Sequence, residues 1–403
     1  MFFLRGDRKI KVAIIHLGLF YNGGGERTVL HEAIGLQDRG HEVEIYCPTL
    51  SNRCFPELQE KVEINELFWW VPRKTPCRNA LGMLLTSIAA PMLLNRFKKY
   101  DVILAHSQPS NWLALQAKRS LKIPYVSYLH QTNRFLFPRE IDQTTGWLTD
   151  PDMEFLRKIH KLRTVIPRLD GISIISSDHV LVNSEWIRSK TKKCYGIDAE
   201  VCYPGVDLSH FKNNIDMEEI SKKPYILTTN RHYPQKGLHL LIEVLSLLVS
   251  KYPSLECVMT GSYTKYTRQL KDYAAKLGLK DNVVFTDNLK EDDLLDMYKR
   301  AYVYTYTSPE EDFGLGPLEA GACGVPSIVW DYAGPRETVI NGETGFRVKP
   351  YCVKEMSERH LRLLDDSSLR YKMGEQASKF IQENFSWKAH IDTLETVLNL
   401  VAG

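Results

Sequence analysis

Tyr302-Val303-Tyr304-Thr305-Tyr306 is followed by Ser308-Pro309-Glu310-Glu311-Asp312-Phe313-Gly314-Leu315-Gly316-Pro317-Leu318-Glu319-Ala320-Gly321, and then by Pro326-Ser327-Ile328-Val329-Trp330. The first piece reads as a buried strand and the last as the next strand. Between them lies a loop that turns into a short helix whose body is Ala320-Gly321-Ala322-Cys323. Gly314, Gly316 and Pro317 stand where that helix begins, and proline is tolerated in a first helical turn. Backbone N–H groups at such a terminus suit a phosphate. Glu311 in the loop and Glu319 in the helix, with seven residues between them, can each grip a hydroxyl at one end of a ligand that carries phosphate in its middle.

The same alternation extends in both directions. Lys11-Val12-Ala13-Ile14-Ile15 reads as a buried first strand. Glu26 to Arg39 has helical apolar spacing (Val29, Leu30, Ala33, Ile34, Leu36), with Gly40 as its stop. Strands follow at Glu42–Tyr46, Asp101–Ala105, Pro124–Leu129 and Asp178–Ser184. The pattern restarts after Tyr203-Pro204-Gly205-Val206-Asp207, with Tyr225–Thr229 as a strand and Leu238–Val249 as a helix apolar nearly all round, expected to be buried. Leu255–Met259 and Val283–Phe285 are further strands, and Ser386 is a plausible N-cap for a closing helix. Strands alternating with helices imply parallel sheets covered by helices. The expected fold is α/β, two Rossmann-like domains facing across a cleft, with ligands at the C-terminal ends of the strands.

A chain of 403 residues, 43% hydrophobic and 25% charged, suits two soluble domains, and a net charge of +3 gives no reason to expect nucleic acid. The eight cysteines form no CxxC pair, so no zinc site is suggested; they read as reduced thiols of a cytoplasmic protein. The opening Met1-Phe2-Phe3-Leu4 is too short for a signal peptide. The longest apolar run, Ala80–Leu94, falls short of the roughly 20 residues a spanning helix needs. Arg73, Lys74, Arg78, Arg96, Lys98 and Lys99 flank it, and Trp69 and Trp70 precede it. Two readings stay open: an interfacial segment on an anionic membrane, or a buried helix edged by surface charge.

Three further motifs lie at strand ends. Gly23-Gly24-Gly25-Glu26-Arg27 lets backbone approach a ligand, although its spacing is not that of a dinucleotide fingerprint. Arg231 and Lys236, in the loop Thr229–Gly237, are two cations able to neutralise a diphosphate, or simply two solvated charges. His106 and His130 each close a strand, in Leu104-Ala105-His106 and Tyr128-Leu129-His130.

In this order and spacing the motifs resemble the retaining family 4 glycosyltransferases of the GT-B fold. The likeness runs from the first strand to the closing helix. Glu311 and Glu319 match that family's Glu-x7-Glu signature, with Phe313 and Gly314 between them. Arg231 and Lys236 match its basic pair, Val201–Asp207 its interdomain turn, and Gly334-Pro335-Arg336-Glu337 a later motif. The resemblance implies an acceptor-binding domain over residues 1–204, a nucleotide-sugar domain over 205–385, and a helix over 386–403 packing back on the first. It implies that Glu319 holds the donor ribose, Glu311 the transferred sugar, and Arg231 and Lys236 the diphosphate. Gly314, Leu315 and Gly316 would offer main-chain N–H groups, and Phe313, Gly24 and Gly25 would join the donor site. His130 would stand near the anomeric centre. Tyr128–Phe135 is similar to a segment of some mannosyltransferases in the family.

The implied reaction moves a hexose, mannose first, from a nucleoside diphosphate sugar such as GDP-mannose to a glycan or lipid-linked glycan, with retention and without metal or other cofactor. The departing phosphate would assist the incoming hydroxyl on the same face; Glu311 as nucleophile is the other route. A sugar-nucleotide epimerase on the same fold, or a non-catalytic donor-binding partner, are the alternatives. The expected place is the cytoplasm, peripheral on the inner face of a membrane.

Overall fold

A computed structural model describes residues 8–144, 165–206 and 224–403. Asp207 and the opening residues lie outside them. The chain divides into two compact units, Met1–Gly205 with Trp387–Gly403, and Val206–Ser386.

Unit 1 holds a seven-stranded sheet of β1 (Lys11–His16), β2 (Glu42–Cys47), β3 (Glu63–Glu66), β4 (Val102–His106), β5 (Tyr125–Leu129), β6 (His179–Val182) and β7 (Glu200–Val201). Its order is β3-β2-β1-β4-β5-β6-β7, and every pairing is parallel. A parallel sheet is covered on both faces, so its central strands are apolar runs. β1 follows the period of two. Val12 and Ile14 join a core with helix α1 (Gly24–Asp38), while Ala13 and Ile15 join the core on the opposite face.

The apolar run at 80–94 is not one helix. Helix α2 (Arg78–Ile88) ends at Ala89, and the next helical segment, α3 (Ala90–Leu93), starts at a bend of 80°. Pro91 sits in the first turn of α3, where its missing N–H costs nothing. The run has one buried face and one exposed face. Ala80, Thr86, Ala90 and Leu93 are buried, whereas Ile88 and Met92 are 68% and 84% exposed. Arg78 leaves the basic flank, because it is ion-paired to Glu66 at 2.5 Å and bonded to the Val71 carbonyl. Among the described residues no single helix is long and apolar enough to cross a membrane, although the α2 pair qualifies by length and composition if its bend is disregarded.

Unit 2 repeats the plan. Its six parallel strands are β8 (Tyr225–Thr229), β9 (Glu256–Thr260), β10 (Val283–Thr286), β11 (Val303–Tyr306), β12 (Ser327–Trp330) and β13 (Gly345–Val348), in the order β10-β9-β8-β11-β12-β13. Helix α4 (Leu238–Leu248) buries Leu238, Leu241, Ile242, Leu245 and Leu248, but Leu247 is 48% exposed. The expectation of burial all round is corrected there: the helix lies on the sheet and keeps an outer face. Helix α5 (Leu315–Ala322) connects β11 to β12. Helix α6 (Trp387–Ala402) belongs to unit 1, where Ile391, Leu394, Val397 and Leu398 complete the core of Val12, Ile14 and α1.

In both sheets the strand order reverses direction beside the first strand, between β1 and β4 and between β8 and β11. Loops leaving the C-terminal ends of two such strands go to opposite faces of the sheet, and ligands of open α/β sheets bind in the crevice left there.

Candidate active site

The unit 2 crevice is lined by the loops that follow β8 and β11. The β8 loop carries Arg231 and Lys236 and closes on Gly237, at φ 65°. A Cβ on Gly237 would lie 2.4 Å from the Thr307 carbonyl oxygen, so glycine lets this loop pass against the other one. Thr307 in turn donates its hydroxyl to the Lys236 carbonyl at 3.1 Å, and Trp330 Nε1 donates to the Thr307 carbonyl at 2.9 Å. The two loops are thereby one rigid piece. Lys236 Nζ donates to Glu311 Oε2 at 2.5 Å, and Ser308 Oγ donates to the same oxygen at 2.8 Å. Lys236 and Glu311 are both mostly buried yet not sealed, with side chains 17% and 18% exposed. Arg231 lies over the Tyr233 ring, 5.6 Å from its centroid.

Glu319 lies in the second turn of α5, whose N-cap, Gly314, has φ 93° and no side-chain cap. Tyr298 Oη donates to Glu319 Oε2 at 2.6 Å and meets Thr229 Oγ1 at 2.7 Å, which also meets Tyr304 Oη at 2.8 Å. Burial and the neighbouring carboxylate raise the Tyr298 phenol well above its ordinary range, so it stays a donor that orients Glu319. Phe313 is buried, its ring 5.9 Å from that of Phe385, which anchors the loop between the two acids. Structure thus gathers Lys236, Glu311, Phe313, Gly314, Leu315, Gly316 and Glu319 on adjoining loops and one helix of unit 2, with Arg231 on the same β8 loop.

In unit 1 the crevice between β1 and β4 is lined by histidines. His16 ends β1 and pairs in register with His106, which ends β4. His130 directly follows β5. His106 Nδ1 and His130 Nε2 are 2.9 Å apart, and the two rings stack at 5.1 Å. Gly24 and Gly25 prove to be the first residues of α1 rather than a loop before it. A Cβ on Gly25 would stand 3.7 Å from His16 Nε2 and 3.8 Å from the His130 ring. Burial and the nearby His106 lower the His16 pKa to about 3, and the same causes, with His16 added, hold His130 well below its ordinary value. Both rings are therefore neutral at physiological pH.

His16 was open to the sequence reading that found His106 and His130, since it too closes a strand. Glu32 was missed. It lies on α1 with its side chain fully buried, three residues after Val29 and four before Leu36, on the apolar stripe. A carboxylate on a core stripe was the available signal. Among the described residues no cluster of His, Cys, Asp and Glu could hold a metal ion, and no disulfide links the eight cysteines.

A family model described as glycosyltransferase family 4 matches residues 22–210, and one described as glycosyl transferases group 1 matches residues 211–380. The chain belongs to the family 4 glycosyltransferases. The alpha-1,3/1,6-mannosyltransferase ALG2 of Dictyostelium discoideum is 23% identical to this glycosyltransferase over 437 residues, covering 98% of this chain and 99% of its own. Two solved structures share the GT-B fold of this enzyme. Anabaena HepE in complex with UDP-glucose superposes with a TM-score of 0.77 at 19% identity, covering 97% of this chain and 99% of its own. Sucrose-phosphate synthase from Thermosynechococcus elongatus gives a TM-score of 0.79, also at 19% identity, covering 98% and 99%.

Proposed function

We propose that this glycosyltransferase moves mannose from GDP-mannose to a hydroxyl of a lipid-linked glycan, with retained anomeric configuration and without a metal or other cofactor. The observation that carries the reading is the Lys236–Glu311 pair, held between two loops that leave adjacent strands at the switch point of unit 2. A cation bonded to a carboxylate on a rigid pair of loops can meet a diphosphate on one side and a sugar hydroxyl on the other. The choice of mannose rests on the mannosyltransferase names of the relatives and on the similarity of Tyr128–Phe135.

In this reading unit 2 takes the nucleotide sugar. Glu319, oriented by Tyr298, accepts from the ribose hydroxyls, and Glu311 accepts from the transferred sugar. Arg231, Lys236 and the N–H groups of Gly314, Leu315 and Gly316 stabilise the diphosphate as negative charge develops on it. Unit 1 takes the acceptor, and neutral His130 beside Gly24 and Gly25 serves the reacting sugar without repelling its growing positive charge. The leaving phosphate accepts the proton of the incoming hydroxyl on the same face. The enzyme would work at the cytoplasmic face of an anionic membrane. There the exposed Trp69, Trp70, Ile88 and Met92, with Arg73, Lys74, Arg96 and Lys98 nearby in sequence, would meet the lipid.

The test offers labelled GDP-mannose and UDP-glucose to the protein with and without a membrane lipid extract. The expected result is a labelled lipid product from GDP-mannose, formed only with extract and in the presence of chelator. Lys236→Ala is expected to lower turnover by about 2–4 kcal/mol of activation free energy, as for other lost oxyanion contacts. Turnover near wild type in that variant, or product formed without an acceptor, would overturn the reading.

A further inference from the structure

Unit 1 contains a buried polar chain that runs away from His130 and that the proposed reaction does not use. From His130 Nε2 it passes at 2.9 Å to His106 Nδ1, and from His106 Nε2 at 2.7 Å to Glu32 Oε2. The other Glu32 oxygen, Oε1, lies 3.0 Å from His390 Nε2 on α6. His390 Nδ1 ends the chain on the Tyr203 carbonyl at 2.8 Å, with Cys202 Sγ 3.3 Å from the same nitrogen. The side chains of Glu32, His106 and His390 are wholly buried.

Burying a carboxylate costs several kcal/mol unless it is paired and its oxygens are satisfied. A core position on α1 would more simply hold leucine. The proton positions follow from the partners. Both nitrogens of His390 face acceptors, the Glu32 carboxylate and the Tyr203 carbonyl, so both carry protons and the ring is an imidazolium. Its charge balances that of Glu32. The pKa directions agree: His390 is held well above its ordinary value, by Cys202 and Glu32 against the desolvation of burial, and Glu32 is lowered to about 2, by His106 and His390 against the same desolvation. Among the described residues the second Glu32 oxygen, Oε2, makes no aligned hydrogen bond and contacts the His106 ring. It lies close to His106 Nε2 but off the line of an aligned hydrogen bond, which makes it a charge contact that favours a proton on that nitrogen. His106 Nδ1 is then the acceptor, and His130 must donate to it from Nε2.

We propose that Glu32, acting through His106, is a positioning residue that fixes His130 in the Nε2-protonated tautomer, with an unprotonated Nδ1 to accept a hydrogen bond from a sugar or acceptor hydroxyl. The proposal rests on the reading above that His130 serves the transfer. His390 supplies the countercharge, so the closing helix takes part in setting the proton of a residue on β5's loop. A neutral ring with a fixed lone pair suits a site where cationic character develops on the sugar, whereas the other tautomer would present an N–H there.

The first test needs no variant. Two-bond nitrogen–proton spectra of the full chain labelled in histidine, with His130 assigned by its loss in His130→Gln, should show it protonated on Nε2. Protonation on Nδ1 overturns the proposal. In Glu32→Gln the amide can donate to His106 Nε2, which reverses the chain and should move the His130 proton to Nδ1. That variant should lose kcat by about tenfold or more while the KM for the nucleotide sugar, set by unit 2, stays as in wild type. On a His130→Ala background, Glu32→Gln should cause no further loss of kcat. An additive loss would show that Glu32 acts apart from His130 and overturns the proposal. Unchanged kcat in His130→Ala itself overturns the role given to His130 and leaves Glu32 a structural residue.

Discussion

Gly316 has no room for a side chain: a Cβ there would lie 2.0 Å from Tyr304 Oη and 3.1 Å from Thr229 Oγ1. Those two hydroxyls, with that of Tyr298, form the network that ends on Glu319. The glycine is therefore there for a close approach of α5 to β8 and β11, and a methyl group would act on Glu319 through the displaced tyrosine. Gly316→Ala should cost about 1–3 kcal/mol of stability, the usual range for overpacking a dense core, and should raise the KM for the nucleotide sugar. Adding Tyr304→Phe removes the closest clashing atom but leaves the ring carbon 2.8 Å away, so it should recover only part of the stability. Urea midpoints of the two variants and donor kinetics check this. A Gly316→Ala enzyme with wild-type midpoint and KM would show that the helix start is looser than the geometry implies.

Helices α2 and α3 each expose apolar residues on one face and bury them on another. Leu67, Phe68, Val71, Ala90 and Leu93 share one core cluster, while Trp69 and Trp70, 71% and 61% exposed, and Met92 and Ile88 stand outside it. Exposed apolar side chains near Arg96 and Lys98 suit an anionic bilayer, where aromatic groups settle at the interface and cations gain from surface charge. Replacing Trp69, Trp70 and Met92 by serine should leave folding intact, because none of them is in the core. It should weaken binding to phosphatidylserine vesicles by about tenfold, equivalent to about 1.4 kcal/mol, and high salt should weaken wild-type binding further. Unchanged cosedimentation of the triple variant would remove this face as the lipid contact. Which face of the segment turns inward was not legible in the sequence, since it depends on partners that the fold brings from residues 67–71. By contrast, most strands of both sheets were legible as apolar runs; β3, β7 and β13 were not, being short or, in β3, half charged. Lys236, Glu311 and His130 were legible because each stands where such a run ends. Glu32 and His390 were not, because their pairing spans 358 positions and a glutamate inside a helix ordinarily reads as surface.

Across the whole molecule the buried histidines set a dependence of stability on pH. Unit 1 holds His16 lowered to about 3 by burial and by His106, with His130 lowered for similar reasons. Unit 2 holds His360, bonded to Thr305 Oγ1 and to the Met356 carbonyl at 2.8 Å each, and lowered by burial to about 4. Each of these rings is neutral in the native state down to its lowered pKa, whereas in the unfolded chain it gains a proton below its ordinary 6.5. The unfolded state therefore binds more protons between these values, and stability falls as pH falls through that window. By about pH 5 the loss is about 2 kcal/mol for His16 and as much for His360, at about 1.4 kcal/mol per pH unit. Against a usual total of about 5–15 kcal/mol this is large. Glu32 is lowered as well, so its contribution is complete above its ordinary 4.5 and is lost only as pH drops toward 2. The raised pKa of His390 adds stability that is complete below 6.5 and lost as pH rises through its native value. The acid loss should thus begin near pH 6.5, well above the carboxylate range. Urea midpoints measured downward from about pH 7 should fall steadily to pH 5, and His16→Asn should flatten the part of the fall that belongs to unit 1. A midpoint that stays level until the carboxylates titrate would mean that these histidines take up protons in the folded protein, and that the crevice of unit 1 is wetter than its packing indicates.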